Sequence, residues 1–374
     1  MQYFFVLGRN PELSLMEIFS YAKREENSVL SHIQKQNSAI VEFSKPLQKN
    51  AIDKLGGTIS IGQILAKGKL NEVLQQLDKQ EIYFKTKNNF SYALLDFADE
   101  SSLDKIEEYL KKRFKSEKLK ASKKNARKEI ILQDGEKTSV VYSGSLIDEQ
   151  YFLVKDKEYL YFGRIIEKCN YDEIEKRDMK KPVRREELSI SPRLAKIMIN
   201  FSEVKEGQSL LDPFCGIGVI LQEALLQNIN SIGMDNDDSA ISGAKQNLEW
   251  LGFSKNNFIL IKTDSTKANL KQTDVLVTEP DFGEVLKKIP SSEQAKQMQD
   301  RFERLMISVL NNLGKRINGR IIFTAPLIDI KKKRLPCNIE NILDKTNLKL
   351  VKGFPIKEFR ASQIVGREIY VLEK

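Results

Sequence analysis

The second half of the chain sets acids at the ends of successive apolar runs, where they could meet a small ligand. Asp212 closes Ser209-Leu210-Leu211, Asp235 closes Ser231–Met234 and lies 23 residues later, and Asp264 is expected to end the third strand, at Ile261-Lys262-Thr263-Asp264. Asp212 runs directly into Pro213-Phe214-Cys215-Gly216-Ile217-Gly218. Glycines there let the backbone turn tightly and let a ligand come close. A dinucleotide fingerprint would need a third small residue, and position 221 is Leu. An acid after the second strand accepts hydrogen bonds from ribose hydroxyls, and one after the third suits an adenine amino group. Taken singly, each acid is also explained as a helix cap. Together, on one sheet edge, they describe a nucleoside pocket. A fourth apolar run ends in Thr278-Glu279-Pro280-Asp281-Phe282-Gly283, a stiff loop with two carboxylates and an aromatic ring.

The elements that position these residues alternate. A helix over Pro192–Val204 leads to strand Ser209–Asp212, helix Val219–Gln227 and strand Ser231–Met234. A helix over Asp238–Leu251, strands Phe258–Ile261 and Asp274–Val277, helix Glu293–Leu313 and strand Arg320–Thr324 follow. Strands near Lys349–Val351 and Glu368–Leu372 close the pattern. Regular strand–helix alternation predicts an α/β domain with a mostly parallel, doubly wound sheet. Trp250 reads as core packing.

Before residue 165 the pattern predicts two small α+β domains. The first has strands at 2–7, 38–43 and 57–65, with helices from Asn10-Pro11-Glu12, near 45–54 and near 69–79. The second has strand Phe90–Phe97 and a helix capped by Ser101-Ser102. Strands Glu129–Leu132, Thr138–Ser143, Gln150–Val154 and Tyr159–Gly163 complete it. Residues 164–190 are charged and poor in large aliphatics, and read as a linker.

Composition narrows the chemistry. Among 374 residues the only histidine is His32, and Cys169, Cys215 and Cys337 have no metal-ligand spacing. A zinc site and a Ser-His-Asp hydrolase are therefore not expected. No apolar run approaches the roughly 20 residues that span a bilayer, and the amino terminus reads as a first strand. A cytoplasmic protein is expected. The net charge is +9, and between Lys111 and Lys128 ten basic residues face one acid, Glu117. That run is a solvated surface or a face for phosphates.

These residues resemble a known family. The Asp-Pro-Phe-Cys-Gly-x-Gly turn, the strand-end acid and the acid-Pro-x-aromatic-Gly loop are similar to those of S-adenosylmethionine-dependent amino-methyltransferases. More narrowly, the chain resembles the THUMP-containing tRNA guanosine-N2 methyltransferases of archaeal and eukaryotic type. Leu7-Gly8-Arg9-Asn10-Pro11-Glu12-Leu13-Ser14 is similar to their start. Arg177-Asp178-Met179, Lys181-Pro182 and Ser191-Pro192-Arg193-Leu194-Ala195 are similar to the segment before their catalytic domain. The resemblance implies a ferredoxin-like domain over 1–88, a THUMP RNA-binding domain over 89–165, a linker over 166–190 and a Rossmann-like class I methyltransferase domain over 191–374. It also implies S-adenosylmethionine as cofactor and tRNA as partner. The oligomeric state is left open between a monomer and a chain with a small activator subunit.

Carried over by position, Asp212, Phe214, Gly216 and Gly218 would surround the methionine part of the cofactor. Asp235 would hold its ribose and Asp264 its adenine. Cys215 matches a small residue and reads as packing, since no activating base is evident. Lys111, Lys112, Arg113, Lys123, Lys124, Arg127 and Lys128 would face RNA. Glu279, Pro280, Asp281 and Phe282 would be catalytic, the acid and the proline carbonyl holding the exocyclic amine and the ring stacking on the base.

The family loop has Asp or Asn, two prolines, an aromatic and glycine. This chain places Glu at 279 and Asp at 281, so the first acid must fold back and the second is expected to loosen the loop. Ile217 replaces a threonine common in the turn. Methylation of guanosine N2 in tRNA, at position ten by resemblance, is the leading expectation. Methylation of adenine N6 in RNA or DNA and tRNA binding without catalysis are the alternatives.

Overall fold

The computed structural model describes residues 1–374 except 126, 134, 142–146, 186–189, 255, 284 and 332; the side chains of 127, 128 and 139–141 also lie outside the description. The first elements are β1 (Gln2–Leu7), α1 (Pro11–Arg24), β2 (Val29–Lys35), β3 (Ser38–Phe43), α2 (Ala51–Lys54), β4 (Thr58–Gly68) and α3 (Leu70–Asp78). Then come β5 (Asn89–Phe97), α4 (Glu100–Ser116), β6 (Lys120–Lys123), β7 (Arg127–Ile131), β8 (Lys137–Val141), β9 (Glu149–Asp156) and β10 (Tyr159–Lys168). After α5 (Tyr171–Met179) and α6 (Pro192–Phe201) the alternation begins: β11 (Ser209–Asp212), α7 (Val219–Leu225), β12 (Asn230–Asp235), α8 (Asp238–Trp250) and β13 (Phe258–Lys262). It continues with β14 (Val275–Thr278), α9 (Ser292–Leu313), β15 (Ile321–Asp329), β16 (Arg334–Leu335), α10 (Ile339–Thr346), β17 (Lys349–Leu350), β18 (Ile356–Glu358) and β19 (Val365–Glu373).

The chain divides into two compact units. Met1–Pro11, Asn27–Asp53 and Thr58–Tyr171 form the first, and Glu12–Glu26, Lys54–Gly57 and Asp172–Lys374 form the second.

In the first unit eight strands share one sheet in the order β2-β3-β1-β4-β10-β9-β5-β6, and β7 and β8 pair separately. Strands from either side of residue 88 join it, since β4 pairs with β10. Aromatic rings fill its core: Phe4 stacks on Phe152, and Phe114 meets the edges of Phe90 and Tyr92. Helix α4 is capped by Asp99, whose side chain accepts from Ser102 N, and not by the serines at 101 and 102. Two strands of this unit were not foreseen. β2 is a half-exposed edge strand without a repeating apolar face, and β6 is the lysine-rich Lys120-Ala121-Ser122-Lys123.

Helix α1 belongs almost wholly to the second unit, although the sequence groups it with the first strands. It is buried on several faces, and Leu13 joins the second unit's core with Leu194, Ile197 and Met198. Glu17 is fully buried and accepts from the backbone N–H groups of Gly56 and Gly57 at 2.7 Å each and from Asn200 at 2.8 Å. Arg24 donates to Asn200 and Gln227. Buried polar groups need such partners, and all of these lie in the second unit.

The second unit's main sheet runs β13-β12-β11-β14-β15-β19-β17, with β16 beside β15 and β18 beside β19. β13, β12, β11, β14 and β15 are parallel to their neighbours, whereas β19 runs antiparallel to β15. From β11 the chain moves outward through β12 and β13, then returns to β14 on the other side. The crevice at the carboxyl ends of β11 and β14 is the switch point where such sheets bind ligands.

The segment expected as a linker is partly built into this unit. Arg177 of α5 makes a two-pronged ion pair with the buried Glu223 of α7, at 2.8 and 3.2 Å. Val183 exchanges backbone hydrogen bonds with the side chain of Asn247. Trp250, expected in the core, is 38% exposed at the end of α8.

Candidate active site

The turn after β11 follows from its glycines. Gly216 and Gly218 have φ of +51° and +84°, a left-handed backbone that side chains rarely adopt. A Cβ at Gly218 would press on Ala244 at 3.2 Å, and one at Gly216 would meet nothing within 4 Å. The turn is therefore packed on one side and open on the other. Cys215 N donates to Met234 O at 2.8 Å, and Asn247 donates to Ile217 O, which ties the turn to β12 and α8. Burial pushes the Cys215 thiol well up, so it stays protonated and packs.

Asp212 sits beneath this turn with its carboxylate buried. Its Oδ1 accepts from Thr278 Oγ1 at 2.6 Å and from Phe214 N at 3.2 Å. Burial pushes the carboxyl up to about 7, against the pull of those two donors and with help from the charges of Asp235 and Glu279. A cation beside it would favour the ionised form. The amino group and sulfonium of a methionine-type ligand are such cations.

Asp235 ends β12 as expected. One oxygen accepts from Gly216 N and the other from Asp237 N, each at 3.0 Å. A carboxylate oxygen has two lone pairs, so both retain capacity for hydroxyl donors. Asp264 does not end the third strand. It lies two residues beyond β13, half exposed, with one oxygen accepting from Thr266 N and Thr266 Oγ1. Those Thr266 bonds hold its carboxyl below the ordinary range. Ser265, which the sequence did not single out, donates to Pro213 O at 2.5 Å and holds this loop against the glycine turn. Phe214 is half-buried and packs against the core.

Glu279 follows Thr278 directly. Its Oε1 accepts from Arg367 Nε and, at 3.4 Å, from Thr324 Oγ1. Its Oε2 is buried without a hydrogen-bond partner among the described residues. Pro280 is buried, and Phe282 is half-buried with its ring 6.1 Å from that of Phe302. Asp281 turns back within the loop. Its exposed carboxylate accepts from Gly283 N at 2.9 Å and closes a local turn, with Gly283 at φ +94°.

The sequence therefore brings Asp212, Phe214, Gly216, Gly218, Asp235, Glu279, Pro280 and Phe282 to one sheet edge, with Asp281 turned to its own loop. It does not reveal Thr278, Thr324, Arg367, Asn247 or Ser265. Arg185 was also missed: it donates to Asp237 and Ser239 at 2.6 Å each. None of these carries a local spacing signal.

The basic run lies in the first unit, on the last turns of α4 and on β6. Lys111, Lys115 and Lys120 line a cavity of 180 Å³ together with Tyr92, Phe114, Leu119 and Ala121. Lys124 is exposed. Three other charges of the run have partners. Lys112 pairs with Glu108, Lys123 with Glu107, and Arg113 donates to Leu77 O, Gln80 O and Glu117. The acids that partner Lys112 and Lys123 come from an earlier turn of α4, outside the run. Arg127 and Lys128 fall where side chains lie outside the description. No described helix is long and apolar enough to cross a membrane.

Known proteins bear on this arrangement. A family model of an RMKL-like methyltransferase domain matches residues 182–323. A DNA methylase model matches residues 16–246, more than half of the chain. The tRNA (guanine(10)-N2)-dimethyltransferase of Methanothermobacter thermautotrophicus is 34% identical over 139 residues, covering 37% of this chain and 39% of that protein. The U6 snRNA (guanine-N(2))-methyltransferase THUMPD2 of Bos taurus is 30% identical over 116 residues, covering 30% of this chain and 23% of that protein. The chain thus spans well under two thirds of these relatives. The crystal structure of TrmN from Thermus thermophilus aligns over 100% of both chains with a TM-score of 0.56 and 12% identity, a likeness of fold alone. That fold is the Rossmann-like class I methyltransferase fold.

Proposed function

Because the chain belongs to the family described by the DNA methylase model, and part of it is similar to tRNA and U6 snRNA guanine-N2 methyltransferases, we propose that it methylates the exocyclic N2 of a guanosine in tRNA. The observation that carries this reading is the orphan acceptor. Glu279 Oε2 is buried without a donor among the described residues, one residue after the threonine that bonds Asp212 beneath the glycine turn. Guanosine at position ten is the target that the archaeal relative's name suggests.

Asp212, Phe214, Gly216 and Gly218 fit the methionine part of S-adenosylmethionine, because the open side of Gly216 admits a ligand and Asp212 gains from a cation. Asp235 keeps lone pairs for ribose hydroxyls, and Asp264 stands nearby for the adenine. When bound, the cofactor supplies an electrophilic methyl group on a sulfonium sulfur. The chain supplies orientation. The lone pair of a guanine amine is delocalised into the ring, so Glu279 Oε2 and the Pro280 carbonyl accept its two hydrogens and turn the nitrogen out of conjugation. Phe282 stacks on the base, and rate comes from position and electrostatics.

The first unit is the RNA-binding part in this reading, with a ferredoxin-like portion over 1–88, less residues 12–26 and 54–57 of the second unit, and a THUMP portion over 89–165. Lys111, Lys112 and Lys124 contribute phosphate contacts, and Lys115 and Lys120 join them. The protein works in the cytoplasm, where tRNA is modified.

The test is to incubate the protein with labelled cofactor and unmodified tRNA or U6 snRNA, then digest the RNA and identify nucleosides. N2-methylguanosine from tRNA is expected. The same product from U6 snRNA alone would move the substrate to the second relative's class. N6-methyladenosine, or bound cofactor without product, would overturn the reading.

A further inference from the structure

Glu279 and Arg367 are 88 residues apart in sequence, and strand order brings them together. β14 lies beside β15 and β15 beside β19, with Thr278 opposite Phe323 and Pro326 opposite Arg367. Arg367 can therefore reach back across β15 to the first residue after β14. Its Nε donates to Glu279 Oε1, and Thr324, on the strand between, reaches the same oxygen. All contacts fall on one oxygen. The other, Oε2, is buried and without a partner among the described residues.

We propose that Arg367 is a positioning residue for methyl transfer, fastening one oxygen of Glu279 so that the other presents its lone pair to the exocyclic amine. This rests on the amino-methyltransferase reading above. Glutamate has one more rotatable bond than aspartate, and left free it would sample several positions and lose orientation. A guanidinium donor fixed in the sheet removes that freedom, and its charge balances a carboxylate that otherwise faces the acid of Asp212. In the step so served, the amine nitrogen forms a bond to the methyl carbon while the carbon–sulfur bond breaks with its electron pair left on sulfur. One amine proton passes to Glu279 Oε2 and then to water.

The experiment compares the full-length wild type with Arg367→Gln, Arg367→Lys, Glu279→Gln and the Glu279→Gln/Arg367→Gln double variant. It measures nucleoside product at saturating cofactor, cofactor affinity by calorimetry, and unfolding followed at Trp250. Arg367→Gln is expected to lower kcat about 100-fold, with cofactor Kd changed less than about twofold, because orientation and not binding is lost. Arg367→Lys is expected to recover about tenfold of that loss, since the charge is kept without the planar fork. The double variant should be no slower than Glu279→Gln, because residues acting as a unit are not additive. If Arg367→Gln also shifts the unfolding midpoint, partial recovery by Arg367→Lys and the double variant decide. Wild-type kcat in Arg367→Gln, or independent losses in the double variant, would overturn the role. A wild type that transfers methyl to no RNA would sink the proposed function itself, and the positioning role with it.

Discussion

Thr278 Oγ1 donates to Asp212 Oδ1 at 2.6 Å, joining the last residue of β14 to the last residue of β11. The two strands are parallel neighbours, so their carboxyl ends emerge side by side. One carries the glycine turn and the other the Glu279 loop. The bond thus holds the proposed donor side and acceptor side of the reaction at a common base.

Replacing Thr278 with Val keeps the shape and removes the donor. Asp212 would then be left with Phe214 N, and an under-satisfied buried acceptor costs roughly 1–3 kcal/mol. The second unit holds the chain's only tryptophan, Trp250, so its unfolding can be followed by fluorescence. A lower midpoint and weaker cofactor binding are expected. An unchanged midpoint would mean that the bond contributes nothing.

The carboxyl of Asp212 adds a pH dependence of definite sign. Burial raises it from 3.8 to about 7 in the folded chain. Between those values the folded state holds a proton that the unfolded state releases, so this group's contribution to stability falls as pH rises through that window. Each tenfold difference in proton affinity is worth about 1.4 kcal/mol. Asp212→Asn should therefore flatten the loss of stability between about pH 4 and pH 7, measured by urea unfolding at Trp250. Cofactor binding should tighten over the same range in the wild type, because a cation prefers the ionised acid. Parallel stability curves for the two proteins would refute this.

Arg177 and Glu223 form a pair with side chains 11% and 1% exposed. Arg177→Met would strand a buried carboxylate, with Lys196 left 3.9 Å away. Removing one partner of a buried pair costs roughly 3–5 kcal/mol, and the remaining lysine should hold the loss to about 2–4 kcal/mol. Thermal unfolding of the second unit would report it. A change of under about 0.5 kcal/mol, typical of a surface site, would return this segment to the role of a plain linker.

The basic run divides into two kinds of residue. Replacing Lys111, Lys115 and Lys120 with Gln should weaken tRNA binding and flatten the slope of log K against log salt by roughly two, since each phosphate contact contributes somewhat less than one. Arg113→Ala should leave that slope unchanged, because its guanidinium is engaged by Leu77 O, Gln80 O and Glu117. It should instead destabilise the first unit by about 1–2 kcal/mol. Filter binding over a salt series separates the two, and equal effects on the slope would contradict the division.

Much of this arrangement is legible in the chain because its signals are local. The apolar runs before Asp212 and Asp235 and the glycines at 216 and 218 each lie within a few residues. The parallel alternation follows from them. Local signals also mislead. β2 lacks an apolar face because it is a half-exposed edge, β6 is hidden within a lysine run, and α1 leaves its sequence neighbours for a core built from residues beyond 190. The turn that Asp281 closes with Gly283 N is likewise absent from any periodic pattern.

By itself, then, the sequence determined which residue types stand at the strand ends, because turn chemistry and hydrophobic period are properties of short stretches. Tertiary structure alone decided what those residues touch. Thr278 meets Asp212 only because β14 returns beside β11. Arg367 meets Glu279 only because β19 enters antiparallel next to β15. That register engages one oxygen of Glu279 and leaves the other without a partner among the described residues, a distinction that no reading of residues 279–283 contains.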